Sequence, residues 1–156
     1  MHGIITFVAQ YCIAIPVAGW IFLFFRLGKQ QRMRFALFSL AAVIATVVMV
    51  KIASMLHHDP RPFVRDHVQP YFGHTNDNGF PSDHTAYSAL IALVVMRYRL
   101  WLGSVLLGTA LLIGTARVIA GVHHAQDIVG GIVCAGLGVG ITWLAAWTVR
   151  RMQAKQ

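Results

Sequence analysis

Phe35–Leu56 reads FALFSLAAVIATVVMVKIASML, an apolar run interrupted by a single charge, Lys51. About 20 such residues in a helix cross the ~30 Å hydrocarbon core of a bilayer, and a segment apolar on every face reads as a membrane helix or one buried in a large core. Outward from it lie Ile4–Phe25, His84–Met96, Trp101–Val122 and Ile128–Val149, each a comparable apolar stretch. We read five membrane helices. The third is the shortest, because Arg97 and Arg99 close it early; it crosses by including Tyr98 and Leu100, with the arginines snorkelling to the interface. The fold class expected is an all-α integral membrane protein, a bundle of about five transmembrane helices.

Composition leads to the same place. The chain is 57% hydrophobic and 12% charged, against roughly 25% charged in a soluble domain. Its 156 residues contain no linker that would separate two domains, so residues 1–156 are expected to form one unit. Ile4–Phe25 follows no basic residue and exceeds a signal-peptide core, so it is expected to be retained. The formal charge of +8 would suggest nucleic acid in a soluble protein. Here the basic residues fall in short clusters between apolar runs, with no aromatic-interleaved stripe, which argues against that partner. Cys12 and Cys134 each sit inside an apolar run as small hydrophobes, not as a disulfide framework.

The charges also give a sidedness. Arg26, Lys29, Arg32, Arg34, Arg97, Arg99, Arg150, Arg151 and Lys155 fall on one side with no acid among them, while all five Asp fall on the other with Arg61 and Arg65. The positive-inside rule makes the acid-free side cytoplasmic, so Leu56–Pro81 and Gly121–Asp127 face outward.

Seven of eight His and every Asp lie between His57 and Asp127, in those outer loops or the adjoining helix ends. Ionisable groups held at a membrane interface suggest function. Three pieces stand out. In His57-His58-Asp59-Pro60-Arg61-Pro62-Phe63 two prolines stiffen the backbone around a guanidinium suited to a phosphate. In Phe80-Pro81-Ser82-Asp83-His84 the Pro and Ser are ordinary helix-start residues, and the helix N-terminus they open offers free N–H groups to an anion. Capping does not explain His84. Arg117 ends an apolar helix, where it needs an anionic partner, and Asp127 lies four residues after His123 and three after His124. Either imidazole satisfies the spacing for a carboxylate-fixed tautomer.

Taken in order, Arg61-Pro62, Pro81-Ser82-Asp83-His84 and Arg117-x5-His123-x3-Asp127 resemble the three signature motifs of the type 2 phosphatidic acid phosphatase superfamily, and most closely its bacterial undecaprenyl-diphosphate phosphatases. The resemblance runs from the second helix through the fifth. It implies a metal-independent, cofactor-free phosphatase working through a phosphohistidine, with His123 as nucleophile, Asp127 orienting it and His84 as general acid. Arg61, Ser82 and Arg117 would hold phosphoryl oxygens, assisted by backbone N–H groups at Asp83 and His84. Such an assignment agrees with general chemistry: the nucleophilic imidazole must be neutral while the acid is protonated, and two arginines do the electrostatic work phosphoryl transfer requires.

This sequence departs from the family in places. Many relatives carry a lysine seven residues before the first-motif arginine; Lys51 lies ten before Arg61, about 15 Å along a helix, and is kept as a candidate phosphate contact. Position 83 is Asp where Gly is common, which fits the undecaprenyl-diphosphate branch, and position 116 is Ala where Ser is frequent. The resemblance implies six membrane helices where hydropathy gives five. Expected partners are membrane lipids and a lipid phosphate substrate, first a polyprenyl diphosphate cleaved in the outer leaflet of a bacterial cytoplasmic membrane, which would recycle the cell-wall lipid carrier. Phosphatidylglycerol phosphate, phosphatidic acid and diacylglycerol diphosphate are the alternatives. A metalloprotein built on His57, His58, His67, His74, His123 and His124 is a second class, opposed by the two arginines, which would repel a cation. A third class is a small transporter or lipid-binding protein, which leaves His84 and His123 unexplained.

Overall fold

The computed structural model describes residues 1–154, so Lys155 of the basic tail lies outside the described residues. They form seven helices: α1 (His2–Tyr11), α2 (Ala14–Arg26), α3 (Lys29–Leu56), α4 (Pro62–Arg65), α5 (Asp83–Met96), α6 (Leu100–Ile119) and α7 (Ala125–Gln153), with no strand among the described residues. Helices α3, α6 and α7 are each long and apolar enough to cross a membrane. Large apolar side chains such as Leu37, Leu40, Leu112, Val129 and Leu144 point away from the bundle. In water they would be a liability; in a bilayer they are its lipid-facing surface. The chain is a multi-pass helical membrane protein.

The first apolar segment is broken in two, α1 and α2 meeting at 41°. Pro16 accounts for the break: it has no N–H to give the Cys12 carbonyl four residues back, and its ring crowds that carbonyl. Ile15 N donates to Cys12 O instead, at 3.0 Å. The third segment, the short one, is α5, whose 14 residues rise about 21 Å. It lies at the centre of the bundle, against α3, α6 and α7. Thr85, Ala86, Ser88, Ala89, Leu90, Ala92, Val94 and Val95 are all buried, so protein rather than lipid surrounds much of it. Against the five spans expected, three helices among the described residues meet the length and apolarity of a span, four with α1 and α2 taken together, and α5 is a shorter apolar helix.

The core is aromatic near the end opposite the histidines. Trp20 stacks on Phe24 and Phe35, and its Nε1 donates to Ser39 Oγ at 3.0 Å, which makes it a packing residue. Cys12 and Cys134 are both free thiols.

Candidate active site

Helix α6 stops just short of the site because Gly121 takes a left-handed φ of +72°, a conformation that costs glycine nothing. Gly121 N then donates to Val118 O and Val122 N to Arg117 O, the paired bonds of a Schellman turn. That turn sets His123 back over the last turn of α6, beside Arg117. His123 is 3% exposed, Arg117 2%, Arg61 5% and Asp127 fully buried.

Polar atoms converge on His123. Its Nδ1 lies 3.1 Å from Asp127 Oδ2, while Arg61 Nη1 and Arg117 Nη2 approach its Nε2 at 3.2 and 3.3 Å. Guanidinium nitrogens only donate, so Nε2 presents its lone pair and the proton resides on Nδ1, donated to Asp127. Burial lowers the His123 pKa, and the two arginines add to this against the opposing bond from Asp127. The imidazole is held neutral, with its nucleophilic nitrogen between two cations.

Each cation is anchored from behind. Arg61 Nη1 also donates to Val122 O at 2.9 Å. Arg117 Nη1 donates to Ala9 O at 3.0 Å, and its Nε is buried without an acceptor. Ala9 lies in the last turn of α1, where carbonyls have no intrahelical partner, so the break in the first span supplies the acceptor that holds Arg117. Asp127 Oδ2 accepts a second bond, from His124 N at 2.8 Å, which caps α7 and fixes the carboxylate.

Helix α5 brings the remaining candidates. Ser82 is fully buried at its N-cap, with its N donating to Asp127 O at 3.0 Å and its Oγ accepting from Thr85 Oγ1 at 3.2 Å. Its hydroxyl proton is left for another acceptor. His84, the second residue of α5, is half-buried and near enough to feel the charges of Arg117, His123, His74 and Arg61. Arg61, Ser82, His84, Arg117, His123 and Asp127 therefore come together. The side chains of Asp83 and Lys51 do not join them; both residues line a neighbouring cavity of about 300 Å³ between α3 and α5, along with Asp77 and Tyr87.

Two residues of the loop between α4 and α5 also enter the site: His74, weighed from the sequence only as a metal ligand, and Asp77, which carried no sequence signal. His74 Nε2 accepts from Arg117 Nη2 at 3.1 Å, and its ring centroid is 6.2 Å from that of His123. Burial and then the charges of Arg61 and Arg117 lower its pKa. Asp77 Oδ1 accepts from Arg61 Nε at 2.7 Å. Partial burial would raise the Asp77 pKa, but the bonds from Arg61 and Thr75 outweigh it and the carboxyl titrates below its ordinary value.

His124 takes a different position. Its Nδ1 lies 2.7 Å from Asp59 Oδ2 and its Nε2 2.9 Å from Asp66 Oδ2. Atoms of Asp59, His124 and Asp127 lie within 4.8 Å of one another, close enough in principle for a cation. Yet Asp59 is already met by Arg65 Nη1 at 3.0 Å and Gln126 Nε2 at 2.7 Å as well as by His124, so the group is a hydrogen-bonded tie. Of the histidines considered as ligands, only His124 belongs to it; His57, His58 and His67 are exposed.

Known proteins share this chain's sequence and its arrangement of helices. Undecaprenyl-diphosphatase BcrC of Bacillus subtilis is 30% identical over 139 residues, which cover 86% of this chain and 69% of that protein. Among solved structures, LpxE of Aquifex aeolicus superposes with a TM-score of 0.68 at 25% identity, covering 91% of this chain and 82% of that one. A transmembrane PAP2-type phosphatidylglycerolphosphate phosphatase from Bacillus subtilis shares the fold, with a TM-score of 0.60 at 18% identity and coverage of 95% and 77%. With the superfamily model matching residues 33–151, from the head of α3 almost to the end of α7, the chain belongs to the PAP2 superfamily and is a membrane lipid phosphatase.

Proposed function

We propose that the chain, working as one phosphatase unit, hydrolyses undecaprenyl diphosphate to undecaprenyl phosphate and inorganic phosphate through a phosphohistidine on His123. The observation that carries this reading is the environment of one ring, with Nδ1 on Asp127 and Nε2 between Arg61 and Arg117. A terminal phosphate entering there displaces the guanidiniums from the lone pair onto its own oxygens. Nε2 attacks phosphorus, and the bond to the bridging oxygen breaks. The electron pair leaves on the lipid phosphate, which His84 protonates. Water then attacks the phosphohistidine and gives a proton to the now neutral His84; the P–N bond breaks with its electron pair returning to Nε2, and orthophosphate departs. Ser82 Oγ and the free N–H groups at Asp83 and His84 are further donors to phosphoryl oxygens.

The buried, acceptor-less Nε of Arg117 supports an anion as the missing partner, since an unmet buried donor costs about 1–3 kcal/mol. With two guanidiniums on the nucleophile the site favours an oxyanion over a cation, so we propose metal-independent turnover. The basic ends of α2, α5 and α7 support, by the positive-inside rule, a site that faces outward from a bacterial cytoplasmic membrane. There a polyprenyl tail stays in lipid while its headgroup reacts. The name of the Bacillus subtilis undecaprenyl-diphosphatase, 30% identical against 18% for the phosphatidylglycerolphosphate phosphatase of the same organism, favours undecaprenyl diphosphate over phosphatidylglycerol phosphate and phosphatidic acid.

The test is phosphate release from purified protein across lipid phosphates of different tail and headgroup. Undecaprenyl diphosphate should be turned over fastest, without added metal and with inhibition by vanadate. His123→Ala should abolish release while retaining the fold. Full activity in that variant removes the nucleophile assignment, and inhibition by chelator with rescue by zinc removes metal independence.

A further inference from the structure

The outer loop is fastened at both ends and inserted into the site between them. Asn78 bonds to Asp59 N, Phe80 N, Ser54 and His57 O at one end, and Tyr71 N donates to Ala120 O at the other. The segment between delivers one side chain to each arginine, His74 to Arg117 and Asp77 to Arg61. The contacts differ in kind. His74 offers a neutral lone pair, whereas Asp77 places a carboxylate oxygen 2.7 Å from Arg61 Nε, close to the geometry a phosphoryl oxygen takes on a guanidinium. Thr75 Oγ1 steadies the other oxygen at 3.0 Å.

Asp77 is also free to leave. Its side chain is 57% exposed, against 6% for Arg61, so it is the member of the pair open to solvent. It lines the cavity between α3 and α5 that also holds Lys51, a cation with no ion pair among the described residues.

We propose that Asp77 is a specificity-determining resident anion. Its carboxylate occupies Arg61 in the substrate-free enzyme and moves across the cavity to Lys51 when a phosphate takes its place. The selection is by charge. A phosphate dianion gains more from two guanidiniums than a carboxylate does and displaces it, while a monoanion such as a phosphodiester headgroup of the surrounding bilayer does not. The abundant lipids are thereby kept off the arginines. Lys51 then acts on Asp77 and not on the phosphoryl group, which accounts for its position in the neighbouring cavity.

This inference rests on the phosphatase reading, and the experiment separates the two. Orthophosphate and dimethyl phosphate are titrated as inhibitors of undecaprenyl diphosphate hydrolysis, and their binding is followed by calorimetry. In Asp77→Ala and the isosteric Asp77→Asn, orthophosphate should bind about threefold to tenfold more tightly, the size expected of a half-exposed ion pair. Dimethyl phosphate, weak against the wild type, should become an inhibitor of both variants. Thr75→Val should shift orthophosphate in the same direction by less. Lys51→Met should weaken orthophosphate binding when Asp77 is present and have no effect in the Asp77→Ala background. Orthophosphate bound no more tightly by either Asp77 variant overturns the resident-anion assignment, and an equal loss from Lys51→Met in both backgrounds makes Lys51 a direct phosphate contact instead. If wild-type protein neither hydrolyses the lipid nor binds orthophosphate, it is the phosphatase reading that fails.

Discussion

The two ring nitrogens of His123 meet opposite charges, and that asymmetry decides its chemistry. Asp127 raises the pKa of the imidazole while burial, Arg117 and Arg61 lower it, and the lowering wins. The neutral ring is the nucleophile, so activity is present above this pKa and is lost as pH falls through it. The acid limb of kcat/KM should lie below the ordinary imidazole value of about 6.5; a limb above it contradicts the assignment. Asp127→Asn removes the group that favours the charged ring, so the limb should move to still lower pH. Because the amide no longer selects the Nδ1–H tautomer, kcat should also fall by about 10³ to 10⁴. These residues were legible in the sequence because an Arg, a His and an Asp at fixed spacing beside an apolar helix have few structural uses. Spacing could not choose between His123 and His124. The structure separates them by where their nitrogens point, one at arginines and the other at Asp59 and Asp66. His74 and Asp77 were illegible as site residues, since only the path of the loop brings them to Arg117 and Arg61.

Two helix ends must meet closely for Ser82 to reach the site. A Cβ built on Gly131 of α7 would lie 2.8 Å from Ser82 O and 3.1 Å from Ala86 N, and backbone atoms cannot turn aside as a side chain can. Gly131→Ala should push the start of α5 away from α7, taking Ser82 and His84 with it. Overpacking of this kind costs about 1–3 kcal/mol, and displacing a reacting group by about 1 Å can cost on the order of 100-fold in rate. The expected result is a lower melting temperature in detergent and a larger loss in kcat/KM than in substrate affinity. Unchanged kinetics would mean that the interhelix contact does not position the site. The elements themselves were legible where the apolar runs were long. The break in the first span was not read, although Pro16 marks it, and its consequence lay beyond any sequence signal: the Ala9 acceptor for Arg117 is a backbone carbonyl, which carries no side-chain signature.

Across the whole molecule the charges sort by end. All five Asp lie toward the site's end, while Arg26, Lys29, Arg32 and Arg34 flank the turn between α2 and α3, Arg97 and Arg99 lie between α5 and α6, and Arg150 and Arg151 lie in the final turns of α7. Several of those cations rest on aromatic rings, Arg97 on Phe38 and Arg151 on Trp147 at 4.8 and 4.0 Å from the centroid, as side chains do where a helix leaves lipid. This separation was legible because the positive-inside rule needs only the order of spans and charges. It makes a prediction about orientation that is independent of catalysis. In a background with Cys12 and Cys134 replaced by Ala, single cysteines are placed at Gln69 in the loop between α4 and α5 and at Gln30 at the start of α3, both exposed. A membrane-impermeant maleimide added to intact bacterial cells should label Gln69→Cys, and should label Gln30→Cys only after permeabilisation. The opposite pattern would turn the site toward the cytoplasm, and a polyprenyl diphosphate in the outer leaflet would then be out of its reach.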